Sequence, residues 1–188
     1  MPRAAAGISA FYFKDPGGHP LEVLHFPPDK GREKWHESTG KFFLGIDHTA
    51  SVVWDTDASV KFYRDLLGMH IAGESENYGT EQEHLNNVFG AHLHITALRG
   101  ASGPGIELLE YLTPRDGRPY PSDEQASDVV HRQTILLTHG AEAAARQLQT
   151  RVNFVSSGVV ANQTRELGVS KAFVVRDPDG HAVEIEEK

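Results

Sequence analysis

The sequence predicts an α+β fold built from paired β-α-β-β-β modules. Three observations predict it. The order strand, helix, three strands can be read twice along the chain; a strand–turn–strand stretch near one end has a copy near the other; and each half carries a His on its first strand and a Glu on its last.

The copy is the strongest signal. "FYFKDPGGHPLEVL", residues 11–24, returns as "FVVRDPDGHAVEIE", residues 173–186, with Phe11, Asp15, Pro16, Gly18, His19 and Glu22 matched by Phe173, Asp177, Pro178, Gly180, His181 and Glu184. Six identities in fourteen exceed the roughly one expected of unrelated sequence, so the stretch is a repeat. Two apolar runs flanking a Pro and Gly turn read as a hairpin.

Residues 1–26 are therefore expected to form a hairpin resembling the end of a preceding module. Lacking that module's first strand, Glu22 is not expected to complete a site, and the hairpin is expected to pair with a sheet edge of this or another chain. "PPDKGREKWHESTGK", residues 27–41, is polar and rich in Pro and Gly, and reads as a linker.

The first module is expected over residues 42–112. "FFLGIDHTASVVW" is β-rich, and "DTDASVKFYRDLLG" reads as a helix capped by Asp55 or Asp57, burying Val60, Phe62, Tyr63, Leu66 and Leu67 and ending at Gly68. Strands follow near 69–77, at "AHLHITALRG" and at "GIELLEYL"; the intervening "GTEQEHLNNVFG" is helix-and-turn or a lid. Residues 113–128, with three Pro and several acids, read as a connector. The second module spans 129–188: "VVHRQTILL" as strand, "HGAEAAARQLQTR" as helix, a weak strand near 154–160, then "KAFVVRD" and "HAVEIEE" around the "DPDG" turn. His48 lies ten residues before Ala58 and His131 ten before Ala141, which pairs the two histidines.

Composition narrows the function. At 188 residues the chain suits one domain or two modules sharing a core; 39% hydrophobic and 23% charged residues are ordinary for a globular protein. A net charge of −8 disfavours nucleic acid and anionic membrane as partners. With no Cys there is no disulfide, thiolate ligand or Cys nucleophile, which agrees with a reducing cytoplasm. No run is long enough to span a membrane, and "MPRAAAGISAFYF" is too short for a signal peptide.

Alternation puts His48 on a face with Ile46, Ala50 and Val52, and His131 on a face with Gln133, Ile135 and Leu137. Glu107 shares a face with Leu109 and Tyr111, and Glu184 sits between Val183 and Ile185. Taking a carboxylate out of water costs several kcal/mol unless a partner charge recovers it. A divalent cation is the economical partner, because two imidazoles and two carboxylates suit Zn, Ni, Co, Mn or Fe(II). Glu110 falls on the face opposite Glu107 and is expected in solvent. His92 and His94 read as pocket lining or surface, and His19 and His181 as servants of their turns. Arg99, Arg115, Arg118 and Arg132 are candidates to meet an anionic substrate, but each is expected first as a solvated side chain.

"GIDHTASVVWDTDASVKFYRDLLGM", "GIELLEYL", "VVHRQTILL" and "FVVRDPDGHAVEIEE" together resemble the vicinal oxygen chelate superfamily, which includes glyoxalase I, bleomycin-resistance proteins and extradiol dioxygenases. The resemblance covers residues 43–188. It implies two modules curled into mixed sheets around one divalent metal held by His48, Glu107, His131 and Glu184, a ligand set most like that of glyoxalase I. It also implies lyase or isomerase chemistry on a small substrate chelated through adjacent oxygens, with Glu107 and Glu184 as proton carriers, and a site formed within one chain or across a homodimer. The competing expectations are a metal-free drug-binding protein with a cleft of aromatics such as Trp54, Phe62 or Tyr78, and an extradiol-type dioxygenase.

Overall fold

A computed structural model describes residues 7–162 and 168–188. The first six residues of the N-terminal stretch weighed as a signal peptide lie outside that range. The chain divides into two compact units, Met1–Gly117 and Arg118–Lys188.

Unit 1 opens with a hairpin of β1 (Ser9–Lys14) and β2 (Pro20–His25). Its turn is tied by Asp15, whose carboxylate accepts from the His19 backbone N–H at 2.9 Å and from His19 Nδ1 at 3.0 Å. The hairpin is a two-stranded sheet of its own and pairs with no other strand of this chain among the described residues. Cross-strand neighbours Tyr12 and Glu22 share one face; Phe11, Phe13 and Leu21 on the other are 58, 45 and 44% exposed. In the matching hairpin of unit 2 the corresponding Phe173 is 1% exposed.

The segment read as a linker has a structural task. A 3-10 helix, Glu33–His36, carries Trp35, whose Nε1 donates to Asp47 Oδ1 at 2.9 Å.

The first module then follows as β3 (His48–Val53), α1 (Thr56–Val60), β4 (His70–Tyr78), α2 (Thr80–Asn86), β5 (His92–Arg99) and β6 (Gly105–Thr113). The sheet order is β3-β6-β5-β4, with β3 parallel to β6 and the other pairs antiparallel. Asp55 caps α1 by accepting from the N–H groups of Asp57 and Ala58. The helix continues as a π-helical segment, Lys61–Leu66, where Leu67 N–H reaches Phe62 O, and ends at Gly68 with φ 76°, a left-handed value that only Gly adopts without strain.

That helix buries Val60, Phe62 and Tyr63, and the strands bury Val53, Leu98 and Leu108. Phe62 therefore belongs to the core, packed edge-on against Tyr63, and does not line a cleft. The opposite face of the sheet holds a second cluster, Ala91, Leu93 and Leu109, joined by Ala50, Val88, Ile95 and Tyr111. On this face lie His48 and Glu107.

Unit 2 repeats the plan with β7 (Gln133–Thr138), α3 (Ala141–Leu148), β8 (Asn153–Phe154), β9 (Val160–Ala161), β10 (Lys171–Arg176) and β11 (Ala182–Glu187). The order is β7-β11-β10-β8, with β9 also on β10, and β7 runs parallel to β11 as β3 does to β6. Ala141, Leu148, Phe173, Val175, Val183 and Ile185 are buried. Ile135 and Leu137, on the Glu184 face, are 50 and 59% exposed. No helix among the described residues is long and apolar enough to cross a membrane.

Candidate functional site

In unit 1 the parallel register sets Ala50 opposite Glu107, one strand alternation from His48, so both polar side chains leave the sheet on the same face. His48 Nε2 stands 3.5 Å from Glu107 Oε2 and 3.6 Å from Glu22 Oε2, the latter delivered by the hairpin. Glu22, not expected to complete a site, thus lies beside this pair. Tyr12 donates its hydroxyl to Glu22, and burial with the neighbouring Glu22 and Glu107 charges pushes the phenol well above its ordinary range.

The other ring nitrogen of His48 is fixed from behind. Nδ1–H donates to Asp47 Oδ2 at 3.1 Å, and that carboxylate also accepts from Arg99 Nη2 at 2.9 Å and from Trp35. Burial alone would raise the Asp47 carboxyl, but the hydrogen bonds from His48, Arg99 and Trp35 hold it far below the usual range. For His48, burial works against the charged ring, yet Asp47, Glu22 and Glu107 outweigh it and push its pKa up to about 10. Glu107 is raised, chiefly by burial and further by Glu22 and Asp47, against the pull of His48 and Arg99.

Nearby residues take structural roles. Glu110, expected in solvent, is largely buried on the helix face: it accepts from Thr56 N–H at 3.0 Å and from Arg115 Nη1 at 3.1 Å. Arg115 also stacks over Trp54. His92 and His94 pair across strands with Glu76 and Glu74, as surface side chains. Tyr111 accepts at its hydroxyl from Asn86 of α2 at 2.9 Å.

In unit 2 the register differs from expectation. Ile135 lies opposite Glu184 as Ala50 lies opposite Glu107, so the residue in the place of His48 is Gln133 and not His131. The strand begins at Gln133, and His131 precedes it. Counting back from Ala58 misaligned the halves by two residues, because α1 begins at Thr56 and its counterpart α3 at Ala141.

Gln133 Nε2 donates to Glu184 Oε2 at 2.5 Å, and its Oε1 lies 3.4 Å from His131 Nε2. Thus His131 and Glu184 are linked through Gln133 and do not touch directly. Glu184 is raised, by burial first and by Glu186 second. His131 Nδ1 is gripped by Glu124, a fully buried carboxylate that Arg176 Nη2 also holds at 2.6 Å. Glu124 comes from the stretch read as a connector and was invisible to periodicity.

Both candidate histidines therefore share a support: an Arg holds a carboxylate, which holds Nδ1 and leaves Nε2 toward an acid or amide. Metal-bound imidazoles use this outer-shell arrangement to fix tautomer and ring orientation. Together with the N and O donor set it suits a borderline divalent ion. As placed, no group of three or more His, Asp or Glu among the described residues forms a ready cation cage, so the fit lies in donor chemistry and support. A concavity among the described residues lies elsewhere, against α3 and β8 with Glu142, Arg146, Asn153 and Phe154 on its walls; it contains none of the candidate residues.

Comparison with known proteins agrees on the fold. The model of the Glyoxalase/Bleomycin resistance protein/Dioxygenase superfamily matches residues 45–185. A glyoxalase family protein from Bacillus cereus superposes with a TM-score of 0.62 at 17% identity, covering 80% of this chain and 98% of that one. A glyoxalase family protein from Enterococcus faecalis gives 0.54 at 20% identity, covering 78% and 100%. A search of curated proteins found no match. With the family pattern spanning most of the chain and the doubled β-α-β-β-β plan beneath it, the protein belongs to the Glyoxalase/Bleomycin resistance protein/Dioxygenase superfamily.

Proposed function

We propose that the protein is a divalent-metal-dependent isomerase or lyase. It moves a proton at the carbon next to a carbonyl of a small substrate that presents two adjacent oxygens. The observation that carries the reading is the approach of Glu107 to His48 Nε2 at 3.5 Å, with Nδ1 already committed to Asp47.

The residues proposed as ligands are His48, Glu107, His131 and Glu184, and the proposed ion is Zn, Ni, Co, Mn or Fe(II). When bound, it supplies Lewis acidity that makes the neighbouring C–H of a chelated substrate more acidic. Glu107 and Glu184 are the proton carriers. Burial raises both carboxyls, moving them toward the range where a carboxylate accepts and returns a proton at neutral pH. Asp47 holds His48 in one tautomer, and Arg99 and Trp35 hold Asp47. Leu93, Ile95 and Leu109 give the Glu107 face an apolar floor that limits water.

The alternatives draw less support. A drug-binding cleft loses Phe62 to the core, while Trp54 lies under Arg115 and Tyr78 against His92. An extradiol mechanism needs room for a catecholate and O2 beside the ion, and Glu107 directed at His48 occupies donor space. The test is metal loading followed by incubation in deuterated water with hemithioacetals, 2-oxoacyl compounds and CoA thioesters. Deuterium entering the α-carbon only with metal, and not with Glu107→Gln, is the expected result; no exchange with any of the five metals refutes the reading.

A further inference from the structure

The hairpin β1–β2 repeats β10–β11 in register as well as in sequence. Phe11 faces Val23 and Phe13 faces Leu21 across the one, as Phe173 faces Ile185 and Val175 faces Val183 across the other. In unit 2 all four positions belong to the core, none more than 4% exposed. In unit 1 Phe11, Phe13 and Leu21 stay open, and β2 has no strand along its outer edge among the described residues. The helix α2 reaches β1 but leaves these three uncovered, and the face with Tyr12 and Glu22 is already turned to His48.

What such a hairpin takes as cover is visible in unit 2. There β7 runs parallel along β11, with Thr134 beside Val183 and Leu136 beside Ile185, while α3 packs on β10 and β11 and buries Ala141 and Leu148. We infer that β1–β2 is a docking surface for a strand–helix segment of a second polypeptide. Its strand lies parallel to β2 with apolar side chains beside Leu21 and Val23. Its helix closes over Phe11 and Phe13 with an apolar stripe spaced as Ala141 and Leu148 are in α3. Main-chain hydrogen bonds to the β2 edge supply affinity, and the alternate side chains supply selectivity.

Two observations fix the kind of partner. The folded chain has no strand–helix segment to spare among the described residues, since α1 lies on β6, α2 on β4 and α3 on β10 and β11. A second copy therefore does not supply the cover without opening its own sheets. The rim of the surface also differs from its counterpart in charge. Glu187, whose Oε2 accepts from Ala141 N–H at 2.7 Å at the start of α3, is matched by His25, and Lys171, which pairs with Glu142, is matched by Ser9. The partner's helix must bring its own cap, and an Asp ahead of its first turn both satisfies the orphan N–H groups and complements His25.

The probe is a synthetic peptide of residues 132–150 of this chain carrying Gly140→Asp, titrated to about 1 mM into the isotope-labelled full chain. Saturable shifts of the Phe11, Phe13, Leu21 and Val23 amides are expected, with slowed hydrogen exchange along β2. Leu21→Asp, at an open position and with its melting temperature checked to show that the fold is kept, is expected to weaken binding at least about tenfold. No shift at about 1 mM, or equal binding by Leu21→Asp, overturns the inference. Shifts confined to β7, β10 and β11, which report the peptide exchanging into unit 2, overturn it as well. Self-association of the peptide-free chain that broadens the same four amides makes a second copy the occupant and also overturns it.

Discussion

Replacing Arg176 by Met tests whether unit 2 depends on its buried acid. Glu124 has a fully buried side chain and accepts from Arg176 Nη2 at 2.6 Å and from His131 Nδ1. Burial favours the neutral acid, but the Arg176 and His131 hydrogen bonds win and keep the carboxyl below its usual range. Removing one partner of a buried pair costs about 3–5 kcal/mol, because the remaining charge is stranded out of water. Arg176 is itself 21% exposed and His131 remains beside the acid, so the lower end, about 3 kcal/mol, applies. For a unit of about 60–100 residues that is a fall in Tm of about 12–24 °C. Both Trp35 and Trp54 lie in unit 1, so hydrogen exchange of the β10 and β11 amides in urea is the suitable assay. The double variant Glu124→Gln with Arg176→Met is expected to recover at least half of the loss, since it leaves no stranded charge. A single variant within about 0.5 kcal/mol of the parent, or a double variant with no recovery, refutes the reasoning.

The other predictions concern pH, ligand choice and catalysis. Burial raises the Glu110 carboxyl, but hydrogen bonds from Thr56 and Arg115 bring it below 4.5; its contribution is present above about pH 4.5 and lost as pH falls through the folded value. Glu110→Gln should lower stability by about 1 kcal/mol at pH 7 and flatten that acid limb in urea titrations from pH 3 to 7. His131→Ala should weaken Co(II) at least about tenfold and Gln133→Ala less, by calorimetry; the reverse order moves the unit 2 donor to Gln133. Glu107→Gln should slow α-proton exchange by about 10²–10⁴, and an unchanged rate removes it as a proton carrier.

The fold and the shared face of His48 and Glu107 were legible because they rest on local rules. Strand alternation alone put His48 and Glu107 on one face, and an Asp before an apolar helix followed by a Gly marked both ends of α1. What was not legible rests on contacts between segments distant in sequence. The alignment of the two halves was counted along the chain, whereas the structure aligns them across strands, through Ala50 with Glu107 and Ile135 with Glu184. A two-residue slip keeps a side chain on its expected face, so alternation could not warn that Gln133 holds the position assigned to His131. Glu22 comes from a hairpin distant in sequence, and no local rule brings its carboxylate to within 3.6 Å of His48 Nε2.

The support behind the two histidines shows how similar chemistry arises without similar sequence. Arg99 and Arg176 hold matching places, each two residues past the strand partner of the site Glu: Ala97 opposite Glu107, and Val174 opposite Glu184. The carboxylates they hold do not match. Asp47 is the neighbour of His48 in sequence, whereas Glu124 reaches His131 from seven residues upstream. A guanidinium at a strand end needs an acid, and an imidazole with one nitrogen turned to the open face needs an acceptor on the other. Any carboxylate that reaches both satisfies both, so the constraint falls on position in space and leaves no fixed spacing in the chain. The structural unit repeated in this protein is therefore the Arg, carboxylate and imidazole arrangement. The aligned letters record only its Arg.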